Sequence, residues 1–173
     1  MGLSVVIGGG IIIFTILYVI MTFPSIIDAT SDVVTTSSLK SEIENAISRS
    51  DIRISSVNGI ALSNVVDIVI RNTGNEKLWD YNRFNVIITY EGGISSKTKY
   101  TEQLSYHEPC TTTAGKWCIS EFLFDLQDPE IFNTDEVLHI KANLAHPLYA
   151  NGRITALIST DNGVTTSRSA IAS

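Results

Sequence analysis

The stretch "VVDIVIRNTGNEKLWDYNRFNVIITYEGG", residues 65–93, decides the fold. Val66, Ile68 and Ile70 fall on one face of an extended strand while Asp67 and Arg71 fall on the other, the period of a half-buried β-strand. "RFNVIITYEGG" repeats the pattern after a polar interruption, and Gly92-Gly93 ends it as a hairpin would.

The same reading extends in both directions. Upstream, "IRISSV" at 52–57 runs into Asn58-Gly59, a dipeptide whose tolerance of positive φ predicts a hairpin turn there. Downstream come "KTKYTEQL" and then "CISEFLFDL", in which Ile119 and Leu123 are expected to alternate with more exposed positions. "DEVLHIKANLA" sets Val137, His139, Lys141 and Asn143 against Leu138, Ile140, Ala142 and Leu144. "GRITALISTDNGVTTSRSA" closes the chain as a hairpin turning at Asn162-Gly163. About eight short strands with Gly, Asn and Asp turns predict a mainly β protein, an antiparallel immunoglobulin-like sandwich over residues 51–173. Helical periodicity is confined to the first 50 residues, so a parallel βαβ sheet is not expected.

Those first residues are of two kinds. Leu3 to Phe23 is apolar or small throughout, and no Lys or Arg occurs before Lys40. About 20 such residues suffice to cross a bilayer, which predicts a transmembrane helix within 1–27. A cleaved signal would carry basic residues ahead of a shorter apolar run. Ser4 and Gly8 are spaced as a small-xxx-small pair. With Gly9 and Gly10 they form a flat surface for helix packing in the membrane, unless the glycines are merely tolerated there. Pro24 would kink the helix. Residues 28–50 read as a helical stalk: Val34, Leu39, Ile43 and Ala46 or Ile47 make a narrow stripe among Lys40, Glu42, Glu44 and Arg49.

The net charge of −6 and the absence of a basic cluster interleaved with aromatics argue against nucleic acid. Two cysteines, Cys110 and Cys118, bracket a Thr-rich loop. Their separation is too long for a zinc knuckle, so a local disulfide is the plainer reading, with two free thiols as the alternative. A disulfide favours an extracytoplasmic domain, with the N-terminus inside. No Asn is followed two residues later by Ser or Thr, so N-glycan is not expected.

Catalytic groups are sparse. His107 and Glu108 beside Cys110 are the nearest approach to a metal or Cys-His site, but a polar loop accounts for them, and His139 and His146 supply no ligand spacing. No catalytic residue, metal or cofactor is expected. "EKLWDYNRF" has the composition of a protein interface, which makes Trp79, Tyr81 and Arg83 the candidate partner-binding residues. Phe84 is better read as core; for Trp79 and Tyr81 core and interface stay open.

Together the opening "MGLSVVI", the single apolar span, the polar stalk, "VVDIVIRNTGNEKLWDYNRFNVIITYEG" and the finish from "NTDEVLHIKANL" to "DNGVTTSRS" resemble the archaeal flagellar accessory protein F family. The resemblance covers nearly the whole chain. It implies a non-enzymatic, stator-type archaellum component: a single-pass protein of the cell membrane whose extracytoplasmic sandwich dimerises and holds the S-layer protein. Other archaellum components and the lipid bilayer are the further partners implied. Archaeal flagellins and pilins are more distant relatives by layout, and a filament subunit with its apolar helix in the filament core is the alternative. No basic leader is visible ahead of the apolar run, which favours the anchor. A membrane-tethered hydrolase or metal-binding domain is the third reading, resting only on His107, Glu108 and the cysteines.

Overall fold

A computed structural model describes residues 8–21, 40, 41, 44, 45, 47–125 and 127–173. The chain divides into two compact units, 1–44 and 45–173.

In the first unit, residues 8–21 form a helix with every residue exposed, including Phe14 at 73% and Met21 at 81%. Thr15 donates its hydroxyl to the Ile11 carbonyl at 2.8 Å, so its polar group is satisfied within the helix. Open space surrounds Gly8, Gly9 and Gly10. Among the described residues no helix is long and apolar enough to cross a membrane. The expected span over 3–23 runs beyond the described helix at both ends. Ser4, Pro24, Val34, Leu39, Ile43 and Ala46, with most of the expected stalk, lie outside the described residues.

The second unit is built of eight strands: β1 (Ile52–Gly59), β2 (Val65–Asn72), β3 (Asn85–Gly92), β4 (Thr98–Tyr106), β5 (Lys116–Leu123), β6 (Val137–Asn143), β7 (Arg153–Ser159) and β8 (Thr165–Ile171). They hydrogen-bond in the order β1-β2-β6-β5-β4-β3-β7-β8. Every pairing is antiparallel except β4 with β5, a short parallel seam of Ser105 with Lys116 and Tyr106 with Trp117. The sheet curls until its ends meet, where Arg168 of β8 donates to the Ile54 carbonyl of β1 at 3.2 Å. The alternating residues point into one core: Val66, Ile68 and Ile70 of β2 face Val86, Ile88 and Tyr90 of β3, all fully buried.

Two local expectations need correction. Asn58-Gly59 is not the turn: both residues lie in β1, opposite Asp67 and Val66, and the chain reverses at 60–64, where Leu62 takes φ 66°. Gly59 is there for space, since a Cβ would stand 2.5 Å from Ile154 Cδ1 and 2.5 Å from Leu148 Cδ1. In β5, Leu123 does not share a core face with Ile119. A bulge between Ile119 and Glu121 switches the parity, so Trp117 and Ile119 point inward before it and Phe122 after it. The turn at Asn162-Gly163 is as expected, with Gly163 at φ +82° and Thr160 N donating to Val164 O at 2.9 Å.

Two long connections, 73–84 and 124–136, are tied together at one end of the sandwich. Leu78 and the fully buried Phe132 exchange backbone bonds. Asn72, fully buried, donates from Nδ2 to the carbonyls of Glu76 (2.8 Å) and Phe132 (2.9 Å) and accepts from Gly74 N at 3.0 Å. Buried Glu136 accepts from Asn133 N at 2.8 Å. Backbone that would otherwise be unsatisfied is thereby paired, and the loops hold a fixed surface next to the β4–β5 seam.

On the outer face of β3, Glu91 accepts from Lys97 Nζ at 2.8 Å and from Arg153 N at 2.7 Å. Lys97 chiefly, and then the Arg153 amide, hold its carboxyl below the ordinary value of 4.5. A depressed carboxyl stabilises the fold above its unfolded value and loses that contribution as pH falls through its folded value. Glu91→Gln is therefore expected to lose less stability than the native chain on acidification below 4.5, checked by urea unfolding at neutral and acid pH.

Candidate functional site

The described residues contain no cluster of His, Cys, Asp and Glu able to hold a metal ion. His107 donates from Nδ1 to the Pro109 carbonyl at 2.9 Å, and Glu108 accepts from the Tyr106 hydroxyl at 3.0 Å, so each is engaged locally. The Glu108-Pro109 bond is cis. Cys110 and Cys118 are joined as a disulfide, closing the loop beside the β4–β5 seam. Asn143 secures this loop, donating from Nδ2 to Thr111 O at 2.7 Å and accepting Gly115 N at its own carbonyl at 2.8 Å. On the chain-entropy argument a loop this short contributes about 2–3 kcal/mol. Cys110→Ser with Cys118→Ser is expected to lower stability by that amount and to remove the sensitivity of the melting temperature to reductant.

The three candidate partner-binding residues separate. Trp79 is 59% exposed, and Arg83 is exposed and paired with Asp80 at 3.0 Å. Tyr81 is only 7% exposed; its hydroxyl donates to the Glu130 carbonyl (2.9 Å) and lies 3.2 Å from the Leu78 carbonyl. Of the two readings left open for Tyr81, its burial favours core: Tyr81 begins a 3-10 turn, Tyr81–Arg83, and plugs the end of the core with its ring edge-on to buried Phe84 at 5.5 Å. Burial pushes its phenol well above the ordinary range, so it remains a neutral donor.

Around Tyr81 the rings continue. Tyr106 of β4 lies 6.1 Å away and Phe122 of β5 lies 6.2 Å away, while Tyr106 packs at 4.8 Å on Trp117. Together with Trp79, Glu108 and Glu130, Tyr81, Tyr106 and Phe122 line a surface cavity of about 270 Å³. Burial, with the acceptor Glu108, raises the Tyr106 phenol to about 12. Sequence reading found Trp79 and Tyr81 but not Tyr106, Phe122 or Glu130. Those three come from β4, from β5 beyond its bulge and from the 124–136 connection, and no spacing along the chain signals their meeting.

Comparison with known proteins bears on this domain. Residues 48–168 match the family described as "Conserved flagellar protein F, immunoglobulin-like domain". The chain belongs to that family. As a member of the flagellar protein F family it is an accessory, structural component of the archaellum, and its eight-stranded β domain is the immunoglobulin-like one. No curated protein matches the sequence. Among solved structures, the archaeal flagellum of Methanospirillum hungatei strain JF1 is 12% identical with a TM-score of 0.59, over 96% of this chain and 93% of that one. Archaeal flagellin FlaB1 from Methanocaldococcus jannaschii is 12% identical with a TM-score of 0.52, over 71% and 90%. The archaellum periplasmic stator protein complex FlaF and FlaG from Sulfolobus acidocaldarius is 19% identical with a TM-score of 0.48, over 69% and 87%. At these identities the two flagellar likenesses are likenesses of fold.

Proposed function

We propose that this flagellar protein F is a non-enzymatic, stator-type part of the archaellum. Its apolar N-terminal segment is tethered in the cell membrane, and its immunoglobulin-like domain braces the machinery against the S-layer protein and other archaellum components. The observation that carries this reading is the family match over residues 48–168. The exposed apolar helix at 8–21 supports it, because so continuous an apolar surface calls for lipid or protein around it. On this reading residues 1–27 anchor, residues 28–50 space the domain from the bilayer, and Gly8, Gly9 and Gly10 with Ser4 let two anchors approach closely. A dimer suits the task, since two weak contacts held together resist detachment far better than one.

One observation favours a second reading, a filament subunit: the likeness to the Methanospirillum flagellum extends over 96% of the chain. An exposed apolar helix would serve equally in a filament core.

Mass spectrometry of fractionated cells separates the two. Few copies in the membrane fraction, released only by detergent, are expected for the anchor. Abundant protein in sheared filaments would overturn it in favour of the subunit.

A further inference from the structure

The cavity walled by Trp79, Tyr81, Tyr106 and Phe122 carries two carboxylates, Glu108 and Glu130. Three nearby acids have cations, Asp80 with Arg83, Asp128 with Lys77 and Asp135 with Arg71, while Asp125 and Glu136 accept backbone amides instead. Glu108 and Glu130 form no ion pair among the described residues. Tyr106 steadies Glu108 through its hydroxyl, and Tyr81 steadies the Glu130 backbone. Both carboxylates act on the Tyr106 phenol, Glu108 through the hydrogen bond and Glu130 through its charge, and the Tyr106 and Tyr81 rings are 6.1 Å apart.

Aromatic faces carry negative potential and attract a cation near the ring, with Trp the strongest attractor. Carboxylates add charge-assisted hydrogen bonds, which a planar guanidinium can make while its flat face lies on a ring. At about 270 Å³ the cavity falls below the usual range of pockets for free small ligands, so it suits one side chain presented by a larger molecule. The half-exposed indole at its mouth is a residue type enriched at protein interfaces.

We propose that this cavity is the docking site for an arginine side chain projecting from a partner protein, the guanidinium held between Trp79 and the carboxylates of Glu108 and Glu130. The partner surface it fits is basic and protruding, complementary to a chain of net charge −6. The inference goes beyond the bracing role and holds for anchor and filament subunit alike.

The test uses the full-length protein in detergent micelles, labelled at its two tryptophans, whose indole N–H signals report separately on exposed Trp79 and buried Trp117. The probe is the blocked tripeptide acetyl-Gly-Arg-Gly-amide, titrated beside its citrulline and lysine counterparts. Saturable movement of the Trp79 signal is expected with the arginine peptide, at a dissociation constant on the order of a millimolar, as fits one cation–π contact with charge-assisted bonds. The lysine peptide should bind several-fold more weakly and the citrulline peptide not measurably. Glu108→Gln combined with Glu130→Gln should weaken arginine binding about tenfold while the Trp117 signal, in place, reports an intact fold. No saturable movement, equal binding of citrulline, or full affinity in the double variant would each overturn the proposal.

Discussion

Trp117→Ala is expected to destabilise the β domain by about 3–5 kcal/mol, the range for truncating a fully buried large aromatic. Trp117 is 1% exposed and packs against Tyr106 at 4.8 Å and Phe84 at 6.5 Å, where the short parallel seam joins the two antiparallel halves. Truncation opens a cavity between the halves and removes the backing of the Tyr106 ring. Trp117→Phe should cost less than half as much. The ring is largely refilled, and the indole nitrogen, buried without a hydrogen-bond partner among the described residues, is removed together with its desolvation penalty. Urea unfolding followed by circular dichroism checks both. Equal losses for the two variants would mean that packing at this point is not limiting.

Gly74→Ala should act nearly as strongly through backbone alone. A Cβ there would stand 2.3 Å from Asp51 N and 2.6 Å from the Arg49 carbonyl oxygen, and main chain cannot step aside as a side-chain tip can. Relief requires separating the 73–75 turn from the entry to β1. That breaks the bonds from Gly74 N to Asp51 O (2.9 Å) and from Asn75 N to Arg49 O (2.7 Å). About 3 kcal/mol is expected, the upper part of the usual range for overpacking. The same urea titration measures it, and Asn75→Ala, which leaves both backbone bonds possible, is the control.

Much of this architecture could be read from residue order because β-sheet alternation is local. Val66, Ile68 and Ile70 announced their buried face, and Asn162-Gly163 its turn. Asn58-Gly59 misled because the same dipeptide also serves where two layers press together, and the pressing atoms belong to Ile154 and Leu148, far along the chain. The β5 parity failed after Ile119 because a bulge has no fixed sequence mark. The parallel seam between β4 and β5 is a pairing that neither strand's pattern signals. For the candidate site the same division holds. Trp79 stands out in its own segment, whereas Glu130 matters only through the fold of the 124–136 connection. Tyr81 shows the limit of composition: an interface-like neighbourhood did not reveal that its hydroxyl is tied down to backbone.

The register of the first strand has a mechanical consequence. β1 is bonded to β2 from Ile52 to Gly59, and its far end is locked by Ser173 N donating to Gly59 O at 3.0 Å and Ala61 N to Ser173 O at 2.7 Å. Tension entering through Asp51 and directed along the strand is shared by the whole β1–β2 ladder as shear, while a pull on Ser173 directed across the sheet first breaks its bonds to Gly59 and Ala61 and then peels β8 from β7 one bond at a time. Optical-trap stretching should therefore give a higher rupture force with the handle at Asp51 than at Ser173; equal forces would count against it. A chain held at its front end and loaded from beyond its domain resists in its stiffer direction.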